Sequence, residues 1–87
     1  MYTVITSKNA DKDFDRLNKP DQEKTITKLK FIAANPFSSH PNATKIQGEK
    51  NTFRLRVGNI RVLYDLDTKS QTLTVWRVKP RSSTYRP

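Results

Sequence analysis

Apolar positions in this 87-residue chain follow two different periods. Residues 53–64, FRLRVGNIRVLY, alternate strictly: Phe53, Leu55, Val57, Ile60, Val62 and Tyr64 fall on one side, Arg54, Arg56 and Arg61 on the other. Alternation running through a Gly58-Asn59 pair predicts two antiparallel strands joined by a two-residue turn that tolerates positive φ. Counting outward from the turn puts Arg56 opposite Arg61 and Arg54 opposite Leu63, with all three guanidinium groups on one face. Like charges directly across a ladder are destabilising. The pattern therefore asks what that face is for.

Ahead of this hairpin the period lengthens. YTVIT at 2–6 predicts a short first strand. Ala10, Phe14 and Leu17 recur at i, i+4, i+7, the spacing of a helix face, with Ser7 or Asn9 as its cap and Asp11 and Asp13 in its first turn. Asn18-Lys19-Pro20 ends that helix and starts another, with Pro20 at the first helical position and Asp21 and Glu23 following. Ile26, Leu29, Ile32 and Ala33 form its apolar stripe, and Asn35-Pro36 stops it. The short joint predicts an antiparallel helical hairpin.

PFSSHPNATKIQGEKN at 36–51 reads as a surface connection. Strands follow at 52–57, 60–66 and 71–78, with Asp67 to Ser70 turning between the last two. The final strand has an open register: Leu73 and Val75 lie on one face, Trp76 and Val78 on the other. Trp76, in a central strand, is assigned to the core in preference to a base-stacking role. The tail, KPRSSTYRP, has little to fold with. The expected fold is α+β in the order β-α-α-β-β-β: a first strand, a helical hairpin and a three-stranded antiparallel meander, with the helices on one face of the sheet. One domain is expected over residues 1–87.

Composition narrows the chemistry. There is no cysteine and one histidine, His40, so disulfide frameworks and the usual metal-ligand and triad clusters are not expected. No apolar run approaches a membrane span and the N-terminus lacks a signal-peptide core, which points to a reducing cytoplasm. Net charge is +9, from 17 Lys and Arg against 8 Asp and Glu. Arginine gathers in the second half, from Arg54 onward, whereas most lysines precede Pro36. The planar guanidinium fork suits bidentate phosphate contacts, so a polyanionic partner is expected, nucleic acid before acidic protein. The lysines of the helices (Lys12, Lys19, Lys24, Lys28 and Lys30) read as a solvated face. His40 reads as a solvated loop residue, and Asp65 and Asp67 as surface and turn acids.

KIQG at 45–48, FRLRVGNIRVLYDLD at 53–67 and RVKPRSSTYR at 77–86 together resemble the RelE/ParE superfamily of toxins. The likeness runs over nearly the whole chain. It implies a type II toxin of the RelE kind: a ribosome-dependent, metal-independent endoribonuclease that cleaves mRNA in the ribosomal A site and needs no cofactor. An acidic, RelB-like antitoxin would hold it inactive. Matched to the family's motifs, Arg54, Arg56, Arg61, Arg81 and Tyr85 are the candidate catalytic residues, and Lys45, Arg77, Lys79 and Arg86 candidate RNA contacts. The position before Arg81, often histidine or lysine in the family, is Pro80 here. The residues suit such chemistry on their own terms. RNA carries its own nucleophile in the 2′-OH, so protein need only orient it, neutralise the phosphorane-like transition state and manage protons. The arginines then serve as electrostatic clamps, leaving Tyr85 as base or stacking platform. The alternatives are a ParE-like gyrase inhibitor that cuts nothing and a non-catalytic module that binds RNA or antitoxin.

Overall fold

A computed structural model of the chain describes residues 1–80. The elements run β1 (Thr3–Thr6), α1 (Lys8–Asp15), α2 (Lys19–Ala34), β2 (Ala43–Lys45), β3 (Thr52–Val57), β4 (Ile60–Asp67) and β5 (Thr72–Pro80). The five strands form one sheet in the order β1-β5-β4-β3-β2. β1 runs parallel to β5 and every other pair is antiparallel. This is the α+β arrangement with the β3-β4-β5 meander that the alternation calls for.

The hairpin register is the one counted from the sequence: Val57 pairs with Ile60, Arg56 with Arg61 and Arg54 with Leu63. Gly58 has φ 58°. Positive φ at the first central position and not at the second, Asn59, is the pattern of a II′ turn, whose twist matches that of the flanking strands. A Cβ at Gly58 would meet nothing within 4 Å, so substitution is opposed by the backbone conformation alone. Gly58→Ala is expected to lower stability by roughly 1–2 kcal/mol, read as a lower urea midpoint with an unchanged m-value.

Both helices are capped as the local chemistry requires. The Ser7 hydroxyl accepts from the Ala10 N–H at 3.1 Å, and the Asn18 side chain accepts from the Asp21 N–H at 2.9 Å. With Asn18 as the cap, α2 starts at Lys19 and Pro20 is its second residue, one place later than expected. Leu29, Ile32 and Ala33 of α2 and Ala10 of α1 pack with Leu55, Val57, Ile60, Val62, Tyr64, Leu66, Leu73, Val75 and Val78 in one core. Helices therefore line one side of the sheet. Ile26 departs from its expected place in the stripe: it is 41% exposed, and Thr25 is buried instead. Thr25 tolerates burial because its hydroxyl donates to the Asp21 carbonyl at 2.8 Å.

Three further expectations change. Residues 43–45, read as part of a surface connection, form the edge strand β2, with Thr44 opposite Arg54 and Ala43 opposite Leu55. Trp76 is 46% exposed, outside the core to which its strand position assigned it. The cause is a β-bulge: Leu63 pairs with Arg77 but Tyr64 pairs with Val75, leaving Trp76 as the extra residue. That insertion also settles the open register, because it returns Val78 to the buried side with Leu73 and Val75. His40, expected in solvent, is half-buried.

The second half of β5 lies beyond the end of β1, and α1 covers its exposed edge. The Ser7 N–H donates to the Val75 carbonyl at 3.0 Å and the Ser7 hydroxyl to the Trp76 carbonyl at 2.9 Å. Asp13 then accepts from the Val78 N–H at 2.9 Å. The cap residue Ser7 and Asp13, which lies in the second half of α1 and not in its first turn as expected, thus satisfy backbone groups that a neighbouring strand would otherwise pair. Among the described residues, no helix is long and apolar enough to cross a membrane.

Candidate functional site

The face of the sheet opposite the helices carries the charge that the alternation put there. The register aligns Arg56, Arg61 and Lys79 across β3, β4 and β5. A second row, one step along, holds Thr44, Arg54, Leu63 and Arg77 across β2 to β5. Directly opposed residues have Cβ atoms about 4.5–5.5 Å apart, so Arg61 sits between two cations at neighbour distance. Arg54 and Arg56 are exposed, and Arg61 and Lys79 half-buried. Among the described residues, none of these four has a carboxylate within ion-pair distance.

Arg54, Arg56 and Arg61 open into one recess of about 330 Å³. Gly58, Asn59 and Ile60 of the hairpin turn close one side, and Pro41, Asn42 and Thr44 form the wall leading into β2. Asn42 is fixed there because its carbonyl accepts from the Arg56 N–H at 2.9 Å. The sequence reading missed this wall. Three residues, Ala-Thr-Lys, are too short for alternation to register, and the loop's polar composition masked them. Their one signal is the β-branched Thr44 beside the KIQG segment.

The other sequence-derived residues fall in different places. Lys79 joins the cluster beside Arg61. Lys45 pairs with Phe53, which packs against the core, and so projects from the opposite face to Arg54. Arg77 is engaged within the molecule: its Nε donates to Asp13 Oδ2 at 2.8 Å and its Nη2 to Oδ1 at 3.2 Å. Asp13 is 5% exposed. Burial pushes its carboxyl up, but the hydrogen bonds from Arg77 and the Val78 N–H, with the charges of Arg77 and Lys79, outweigh that and hold it below the usual carboxylate range. The same bond to Asp13 raises the Arg77 pKa. Arg81, Tyr85 and Arg86 lie outside the described residues.

Two other titratable groups have local duties. His40 Nε2 lies 2.7 Å from the Asn35 carbonyl, an arrangement that makes it the donor, and its ring meets Phe31 edge-on. Asp67 caps the β4–β5 turn by accepting from the Lys69 and Ser70 N–H groups, which lowers its pKa. Tyr64, stacked on Phe53 in the core, has its phenol pushed up to about 12 by burial. A phenol so disposed is a poor proton acceptor at neutral pH. The recess can therefore bind and neutralise a phosphodiester through guanidinium groups, and the described residues around it hold no carboxylate or imidazole that would act as its base.

Comparison with known proteins agrees with this fold. The profile of the family described as "ParE toxin of type II toxin-antitoxin system, parDE" matches residues 4–85. Among solved structures, the isolated RelE toxin of E. coli superposes with a TM-score of 0.81 at 18% identity, over 92% of this chain and 84% of that one. The archaeal RelE–RelB complex from Pyrococcus horikoshii gives 0.75 at 22% identity, over 92% and 94%. The RelBE2 toxin–antitoxin complex of Mycobacterium tuberculosis gives 0.73 at 25% identity, over 92% and 98%. A search of curated proteins returned no match.

Proposed function

This chain belongs to the ParE toxin family of type II toxin–antitoxin systems, and we propose that within it the chain acts as a ribosome-dependent endoribonuclease on mRNA. The observation that carries this reading is the row Arg56–Arg61–Lys79 with Arg54 beside it, held at like-charge distance and, among the described residues, without carboxylate partners. A protein surface built for stability alone would not stack cations across three strands. A phosphodiester at the recess removes the repulsion.

In the proposed reaction the 2′-oxygen of the RNA attacks the adjacent phosphorus and the P–O5′ bond breaks. The products are a 2′,3′-cyclic phosphate and a 5′-hydroxyl. The 2′-OH proton passes to a base, for which Tyr85 is the candidate, and the departing 5′-oxygen takes up a proton. Arg54, Arg56, Arg61 and Arg81 stabilise charge on the phosphoryl oxygens as the bonds exchange. Pro80 offers no proton donor where many relatives have one, which supports a role for ribosomal RNA in completing the site. DNA lacks the nucleophile and is left uncut. The partner that restrains the toxin is an acidic antitoxin, supported by the toxin–antitoxin complexes among the structural neighbours.

Primer-extension mapping of mRNA in cells expressing the chain tests the proposal. Cleavage within codons of translated messages is the expected result. Because the matching profile is that of ParE toxins, the competing reading is gyrase inhibition, for which messages stay intact while replication arrests. Arg81→Ala and Tyr85→Phe are each expected to relieve growth arrest while the protein still folds and binds its antitoxin. Full toxicity in both variants would remove those two residues from the mechanism.

A further inference from the structure

We propose that the groove along α2, next to the arginine recess, is a nucleobase subsite in which Phe31 stacks on an unpaired base of the RNA strand whose phosphates lie at Arg56 and Arg61. The inference rests on the RNA-directed reading above and extends it to a place that catalysis does not require.

The groove, about 690 Å³, lies between one side of α2 and the β3–β4 turn. Lys24, Lys28 and Phe31, at i, i+4, i+7, line its helical wall, and Val57 and Gly58 lie across from them. It shares Asn42, Arg56 and Gly58 with the arginine recess. The two therefore adjoin at the hairpin turn. A strand seated in the recess would bring its neighbouring nucleotide to this groove.

Phe31 is 60% exposed. It is nevertheless oriented, because its ring meets His40 with centroids 5.7 Å apart and planes at 78°. His40 is in turn fixed by its hydrogen bond to the Asn35 carbonyl. An aromatic held open to solvent and already positioned loses little entropy when it binds. Among the described residues, Lys24, Lys28 and Arg56 have no carboxylate within ion-pair distance, and Glu23 is the one acid lining the groove. Cations that follow a backbone beside an aromatic that takes a base are the elements of single-strand recognition. Stacking on Phe31 is tolerant of base identity, so the subsite would set strand path and affinity more than sequence.

The test uses the full chain and a short single-stranded RNA whose 2′-positions are O-methylated to block cleavage, with 2-aminopurine placed at successive positions. At one position, binding is expected to quench the fluorophore. Phe31→Ala should abolish that quench and weaken binding by about 5- to 150-fold, while Phe31→Trp retains both. Lys24→Ala and Lys28→Ala should each reduce the salt slope of binding. Phe31 lies outside the core, and matched thermal midpoints verify that the variants fold. If Arg61→Ala weakens RNA binding but Phe31→Ala changes neither quench nor affinity, the subsite is overturned and the RNA-directed reading stands. Absence of RNA binding by the wild-type chain at low salt overturns the subsite, while the ribosome-dependent reading stands or falls on the primer-extension result. Loss of antitoxin binding alone in Phe31→Ala assigns the groove to protein and also overturns the proposal.

Discussion

Replacing Arg61 with alanine is expected to reduce mRNA cleavage by about 10²–10³-fold, the cost of deleting one preorganised donor from a transition-state site. Folding should not suffer. Arg61 stands between Arg56 and Lys79 on the adjacent strands and has no carboxylate partner among the described residues. Its removal therefore relieves repulsion, and stability should hold or rise by a few tenths of a kcal/mol. Val62 and Ile60, which flank it in sequence, keep their buried places on the other face. Arg61→Lys should fall between wild type and alanine, since an ammonium retains charge but cannot present the bidentate fork. Primer extension in a translating extract gives the first quantity and urea denaturation the second. A variant that cleaved normally but unfolded more easily would show Arg61 to be a structural residue and would remove the centre of the proposed site.

That opposition between local stability and charge is what made the site visible in the sequence. In FRLRVGNIRVLY, slipping the register by one residue would turn every apolar side chain outward. The alternation and the Gly58 turn therefore determined both the pairing and the face on which the arginines gather. Elements that alternation cannot register were lost. β2 is three residues long, and Trp76 leaves the core because a bulge adds one residue to β5 opposite the Leu63–Tyr64 step. Neither a three-residue edge strand nor a bulge has a period. The proposed catalytic roles rest on the family resemblance: Tyr85 and Arg81 carry no pattern that would single them out, whereas spacing alone gathers Arg54, Arg56 and Arg61 on one face.

The Arg77–Asp13 pair shows where more could have been read. Asp13 falls on the same helix face as Ala10, Phe14 and Leu17, at i+3 from Ala10, and a carboxylate on an apolar stripe demands a partner. The arginine that answers it is 64 residues away, so the demand was legible but the respondent was not. This contact engages, within the molecule, one of the arginines that the register places in the row with Arg54. It also fixes the strand from which Lys79 reaches the cluster, which gives a residue distant from chemistry an expected effect of its own.

Asp13→Ala is expected to destabilise the fold by about 2–4 kcal/mol, a figure reached from the groups left behind. The Val78 N–H, which bonds to Asp13 Oδ2 at 2.9 Å, would lose its acceptor at a buried edge. The larger penalties known for broken buried pairs arise from a stranded charge. Here that term is small, because the Arg77 side chain is 39% exposed and can turn to water. Asp13→Asn should cost about half as much, since the amide oxygen can still accept from Val78 while the charge-assisted bonds weaken. The pH dependence has a definite sign. Asp13 is held below its ordinary value of 3.8 in the folded protein, so its stabilising contribution is complete above that value and is lost as pH falls through it toward the lower folded one. Denaturation midpoints of wild type and Asp13→Asn should therefore differ most at neutral pH and converge in acid. Equal midpoints at neutral pH, or a gap that widened as pH fell, would show that Asp13 does not anchor α1 to β5.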